Sequence, residues 1–187
     1  MKPIFNNRQN RRYHINTGIS EGFDIWESRS PAINAFIFAI HKDNIFVLAE
    51  KRSEIMPEGP GLWVAPCGYM DWNENGWDAL RREVYEETSF YIDEYKKYMI
   101  FNNDKEPYYT ITDVNENRQN VVLCYCVIFD FSEIDLPREI ENYKYKEIEK
   151  IEWIPIERVL TPNYLWGFDH NKRIEEAIIK FEKYLIQ

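Results

Sequence analysis

The sequence predicts one α/β domain, residues 32–187, preceded by an N-terminal extension of residues 1–31. Three observations predict it. Apolar runs of strand length recur at AINAFIFAI (32–40), IFVLAE (45–50) and NVVLCYCVIFDF (120–131), each bounded by polar or turn residues. Between them, Leu80 and Val84 stand one turn apart, and Glu83, Glu86 and Glu87 follow at i, i+3 and i+4, a helical spacing. Near the C-terminus, Ile174, Ala177, Ile178, Phe181 and Leu185 also recur at helical spacing and predict a closing amphipathic helix.

Composition sets outer limits. A chain of 187 residues, 44% hydrophobic and 16% aromatic, is sufficient for one sizeable core. The formal net charge of −9 argues against a general nucleic-acid or anionic-membrane surface, so an anionic ligand must be received by local cations. Cys67, Cys124 and Cys126 form no CxxC pair, and Cys124 and Cys126 alternate onto one strand face as small buried residues. No apolar run reaches membrane-spanning length, and no signal-like stretch follows the basic start. A reducing cytoplasmic setting is the expected localisation.

Taken in order, the extension clusters Arg8, Arg11 and Arg12, a solvated arm or a contact for a nucleotide or RNA end. Its aromatics Phe5, Tyr13, Phe23 and Trp26 are left with two readings, packing on the body or across a dimer. Pro31 marks the boundary. The first two apolar runs read as a hairpin about the turn HKDN, and Lys51 and Arg52 end its second strand. They are either ordinary strand-end charges or substrate phosphate contacts. The segment SEIMPEGPG is turn-rich. Asn75 is the expected N-cap of the acidic helix, with Asp78 three residues on. KKYMIFN and PYYTITDV read as strands, and NVVLCYCVIFDF as the most buried one. The charged segment 132–150 is too long for a tight turn. His14, His41 and His170 read as scattered surface or capping residues.

The acidic helix carries the chemistry. Three carboxylates this close repel and favour partial protonation, whereas a hard divalent cation reverses the effect. On its own the pattern is also that of a solvated helix face. The spacing upstream narrows it. From Gly68 there are five residues, then Glu74, seven residues, then Arg82-Glu83-Val84, one residue, Glu86-Glu87, one residue, Ser89 and Phe90. This pattern resembles the Nudix hydrolase signature at every position except Ser89, where the family has Gly. A non-Gly residue just past a helix end costs roughly 1 kcal/mol, a conformational departure that removes no reactive group.

The resemblance implies a mixed β-sheet sandwiched between helices, and a Nudix pyrophosphohydrolase. Its substrate would be a small nucleoside diphosphate derivative: a nucleotide, ADP-ribose or another nucleotide sugar, or a dinucleoside polyphosphate. It further implies Mg²⁺ or Mn²⁺ bound by Glu86 and Glu87, helped by Glu83, the backbone carbonyl of Cys67 and a loop glutamate. Glu147 is the expected loop residue, with Glu149, Glu139 and Glu141 as alternatives. Cys67 stands where the family commonly has the first Gly of Pro-Gly-Gly. Arg82 is expected to orient carboxylates, Glu83 to direct the attacking water, and Glu74 to be structural or a peripheral metal contact. Two other readings stay open: a nucleotide-sensing module without catalysis, and isopentenyl diphosphate isomerisation using Cys67. Pro107, Tyr108 and Tyr109 fall where the family carries cues for ADP-ribose and for dinucleoside polyphosphates, and they support both. Dimerisation is common in the family, so a homodimer is also an open expectation.

Overall fold

The computed structural model describes residues 12–18, 22–26, 31–112, 114–115, 118–137 and 147–186. Two short strands, β1 (Arg12–Ile15) and β2 (Phe23–Trp26), pair antiparallel as a hairpin of their own. Arg12 and His14 both pair with Asp24 across it. Tyr13 and Phe23 are exposed. Arg8, Arg11, Phe5 and the side chain of Trp26 lie outside the described residues.

The main sheet begins with β3 (Pro31–His41) and β4 (Asn44–Arg52), the expected hairpin, followed by short strands β5 (Trp63–Val64) and β6 (Cys67–Tyr69). The acidic segment is helix α1 (Gly76–Thr88). After it come a 3₁₀ segment (Ile92–Tyr98) and β7 (Met99–Asn102), so Lys96 to Tyr98 are not strand as the sequence predicts. Strand β8 (Tyr109–Ile111) and the small pair β9 (Val114–Asn115) and β10 (Arg118–Gln119) precede β11 (Val121–Asp130). β12 (Ile148–Pro155) runs into a short 3₁₀ turn (Ile156–Arg158).

The sheet order is β12-β4-β3-β11-β7, with β5 beside β4, β6 beside β3 and β8 beside β11. β3 and β11 are parallel, with Pro31 opposite Val121 and Ile40 opposite Asp130; the other pairs are antiparallel, so the sheet is mixed. Strand alternation divides the core in two. Ile33, Ala35 and Ile37 of β3 and Tyr125, Val127 and Phe129 of β11 face Leu80 and Val84 of α1. Phe36 and Phe38 with Cys124, Cys126 and Ile128 face the other way, against Ile174 and Ala177.

The closing helix is broken. Helix α2 (His170–Lys180) ends at Phe181, and one further turn, α3 (Glu182–Leu185), follows. Phe181 leaves helical geometry (φ −111°, ψ 17°), and its ring packs on Phe101 at 4.7 Å and Tyr108 at 5.4 Å. Packing of that ring overrides the local helical pattern. A second correction concerns His170, expected at the surface. It is buried, and its Nδ1 accepts the Ala65 amide N–H at 3.0 Å. Burial, reinforced by the nearby Arg52 charge, lowers its pKa to about 3 and keeps the ring neutral. Among the described residues no helix is long and apolar enough to cross a membrane.

Candidate active site

The site lies where β6, α1 and the end of β4 meet. Helix α1 starts as its cap residues dictate. Asn75 Oδ1 accepts the Asp78 N–H at 3.0 Å, and Asn75 Nδ2 donates to the Asp78 carboxylate at 2.8 Å. At the far end Ser89 adopts the left-handed conformation (φ 57°) and donates its N–H to the Tyr85 carbonyl at 2.9 Å. The turn that normally takes glycine is therefore made here by serine.

Gly68 is required for space. A Cβ on it would lie 2.3 Å from the Glu83 carboxylate. The absence of a side chain lets α1 press its acidic face against β6, which pairs through Gly68 with Ile33 of the central sheet.

Arg82 organises the acids. It is 5% exposed and sits on the same helix face. Its Nη2 and Nε reach the two oxygens of Glu74 at 2.7 and 3.1 Å, a bidentate pair. Nη1 donates to Glu83 at 2.7 Å and to Glu86 at 3.2 Å, and Nη2 also donates to the Tyr69 carbonyl at 2.9 Å. Burial opposes its charge, but the Glu74 and Glu83 carboxylates outweigh it and raise the guanidinium above its ordinary range. Glu74 also accepts the Asp71 N–H at 2.6 Å, which ties the loop before α1 to the same arginine.

Glu87 takes the Cys67 amide N–H on Oε2 at 2.9 Å. A further acid joins from β4. Glu50 is 1% exposed, hydrogen-bonds Glu87, and lies close enough to Glu83 to feel its charge. Burial raises the carboxyls of Glu50, Glu83 and Glu87 above the usual carboxylate range, and repulsion adds to it, from Glu83 on Glu50, from Glu86 and Glu74 on Glu83, and from Glu50 and Glu83 on Glu87. The nearby cations, Arg52 for Glu50 and Glu87 and Arg82 for Glu83, pull the other way without winning. The Cys67 thiol is also pushed well up, first by burial and then by Glu87 and Glu50.

Of the residues expected from sequence, Arg82, Glu83, Glu86 and Glu87 come together here with Cys67. Glu147 is exposed near Glu50, and its carbonyl accepts the Ser53 N–H at 2.8 Å. Glu149 turns to Lys51, whose Nζ meets its two oxygens at 2.8 and 3.0 Å. Arg52 donates from Nε to the Glu58 carbonyl at 3.0 Å and stacks over Phe168 at 5.5 Å. Glu139 and Glu141 lie outside the described residues. Tyr108 packs on Phe36 in the opposite layer, and Tyr109 lies under Arg173 at 4.4 Å. Glu50 is the residue that sequence reading missed. Strand alternation was the available signal, because it places Glu50 on the Leu48 face, toward α1.

The donor set suits a hard divalent cation: oxygen ligands only, acidic, and with one buried oxygen, Glu50 Oε2, that has no hydrogen-bond partner. Among the described residues no three acid, cysteine or histidine side chains already converge on one cation position. The acids instead bond to one another, to Arg82 and to the Cys67 amide.

Comparison with known proteins agrees with this layout. The NUDIX domain family matches residues 28–175. Among solved structures, the chain resembles the NUDIX domain of Shewanella oneidensis NrtR complexed with ADP ribose, at 20% identity and a TM-score of 0.58, over 82% of this chain and 89% of that one. It resembles a C. elegans Ap4A hydrolase binary complex at 17% identity and a TM-score of 0.56, over 82% of this chain and 100% of that one. It also resembles S. oneidensis NrtR complexed with a 27mer DNA, at 20% identity and a TM-score of 0.60, over 83% of this chain but only 63% of that one. At these identities the likeness is one of fold. No curated protein matches the chain. The family match covers most of the chain, including the whole Arg82-centred acid set, and the chain belongs to the NUDIX domain family.

Proposed function

We propose that this protein hydrolyses a diphosphate linkage in a nucleoside diphosphate derivative, using Mg²⁺ or Mn²⁺. The observation that carries the reading is Arg82. One buried guanidinium holds one oxygen each of Glu83 and Glu86, while the Cys67 amide holds one oxygen of Glu87. Glu83 and Glu86 thereby each keep a second oxygen to offer, while Glu87 also meets Glu50.

Glu83, Glu86, Glu87 and the Cys67 carbonyl would hold the cation, with Glu147 approaching from its loop. When bound, the cation supplies the positive charge that neutralises phosphate oxygens. The protein's own groups do the rest. Arg82 fixes the carboxylates so that little reorganisation is needed during reaction. Glu83, held in register by Arg82 at 2.7 Å, is the residue assigned to direct the attacking water. Arg52 is the proposed phosphate contact, since its charge already reaches Glu50 and Glu87. Lys51 would have to leave Glu149 to join it.

ADP-ribose and dinucleoside polyphosphates are the first classes to test, since two of the similar structures are an ADP-ribose complex and an Ap4A hydrolase. Tyr108 packs with Phe36 in the α2 layer and Tyr109 lies against Arg173 of α2, so neither adds to that choice. The isomerase reading needs a reactive Cys67, and burial holds that thiol protonated. The test is turnover of nucleoside triphosphates, ADP-ribose, nucleotide sugars, dinucleoside polyphosphates, NADH and 5′-triphosphate RNA with and without Mg²⁺, with Glu86→Gln as control. Metal-dependent cleavage of one class, lost in the variant, supports the hydrolase. No cleavage anywhere, with tight binding of one ligand, replaces it with a ligand-sensing role.

A further inference from the structure

Glu50 has no part in the signature, yet it faces the acid set. It lies on β4 opposite Val64 of β5 and Ile151 of β12, and it is 1% exposed. Its neighbour Lys51 is paired with Glu149, so the strand sends one charge to a surface ion pair and the next one inward. The Glu50 carboxyl hydrogen-bonds Glu87, whose Oε2 takes the Cys67 amide N–H at 2.9 Å. Its own Oε2 is buried with no hydrogen-bond partner.

A buried carboxylate oxygen without a partner is unfavourable, and an acid kept only to fill a strand position would be replaced at no loss by an apolar residue. The surroundings make the position costlier still, since the Glu83 and Glu147 charges both bear on it. A cation among these acids reverses every one of those signs: it satisfies the free oxygen and turns the repulsion between the carboxylates into attraction to a common charge.

We infer that Glu50 is a further carboxylate of the cation site, lying beside Glu87 and presenting its unpartnered oxygen to the ion. The inference rests on the metal-dependent reading of the same site. It extends the ligand-bearing surface from α1 and its preceding loop to the end of β4, the strand that also carries Arg52. Cation and phosphate contacts then come from two residues, on either side of Lys51, on a single strand.

The test uses Mn²⁺ binding to the full chain in the absence of substrate, after treatment with a chelator. Binding is followed by the loss of the free-ion paramagnetic signal and by calorimetry. Glu50→Gln keeps the shape and removes the charge. Its Mn²⁺ dissociation constant should rise about tenfold or more, while the metal-free variant melts at or above the wild-type temperature. Glu50→Asp, which keeps the charge but withdraws it by one methylene, should bind more tightly than Glu50→Gln and more weakly than wild type. Wild-type affinity in Glu50→Gln, with affinity lost in Glu86→Gln, overturns the inference and leaves the hydrolase reading standing. No Mn²⁺ binding by the wild-type chain overturns both. Should Glu50→Gln fail to fold, Glu50→Asp decides alone, and wild-type affinity in it overturns the inference.

Discussion

Replacing Arg82 with alanine perturbs the site at its organising point. The change removes a 5% exposed guanidinium that contacts Glu74 at 2.7 and 3.1 Å, Glu83 at 2.7 Å, Glu86 at 3.2 Å and the Tyr69 carbonyl at 2.9 Å. Glu74, whose side chain is 4% exposed, keeps the Asp71 N–H but loses the opposite charge. Breaking a buried ion pair from one side costs about 3–5 kcal/mol. A domain of this size loses about 2–4 °C of melting temperature per kcal/mol, so the expected fall is roughly 6–20 °C. Protonation limits the damage, and that gives the prediction a pH signature. The Arg82 charge lowers the Glu83 pKa, so its removal raises the folded-state value further above the unfolded one. Stability from a group so shifted is present at low pH and lost as pH rises through the folded value. The deficit of Arg82→Ala should therefore be larger at pH 8.5 than at pH 6. Thermal melts followed by circular dichroism in chelator, at both pH values, measure it. A loss below about 3 °C at both, or a deficit that shrinks as pH rises, refutes the account of Arg82 as the group that stabilises these acids.

Two further outcomes are expected. Ser89→Gly relieves a left-handed residue at the end of α1 and should stabilise the protein by about 0.5–1 kcal/mol with turnover unchanged; a drop in either melting temperature or turnover would show that the serine does more than make the turn. His170 has its pKa lowered to about 3, so the stability it confers is present above the unfolded value of about 6.5 and is lost as pH falls toward the folded one. In chemical denaturation, the gap between wild type and His170→Leu should narrow by about 1.4 kcal/mol per pH unit below pH 6.5, and a gap independent of pH would place the histidine outside the core.

Much of the site is local, and local features were legible in the chain. The face shared by Glu83, Glu86 and Glu87 follows from 3.6 residues per turn. The Asn75 cap follows from side-chain chemistry three residues from Asp78, and the left-handed Ser89 follows from where the helix has to end. The strands β3, β4 and β11 were visible as apolar runs because burial on both faces leaves little room for polar residues. What remained hidden depended on which distant segments meet. β3 pairs in parallel with β11 some ninety residues later, and no window of sequence contains both. Arg82 chose Glu74 as its bidentate partner because the loop before α1 folds back onto the helix. Glu149 turned to Lys51 because β12 lies beside β4. His170 went inward because the Ala65 amide needed an acceptor there. Glu50 closes the run IFVLAE with no local pattern to mark it, and the packing of α1 on β6, allowed by the bare Cα of Gly68, brings Glu83 and Glu87 to it. Periodicity and capping act within a few residues and survive in the sequence. Pairing, burial and the company that a charge keeps are properties of segments brought together, and only the tertiary structure decides them.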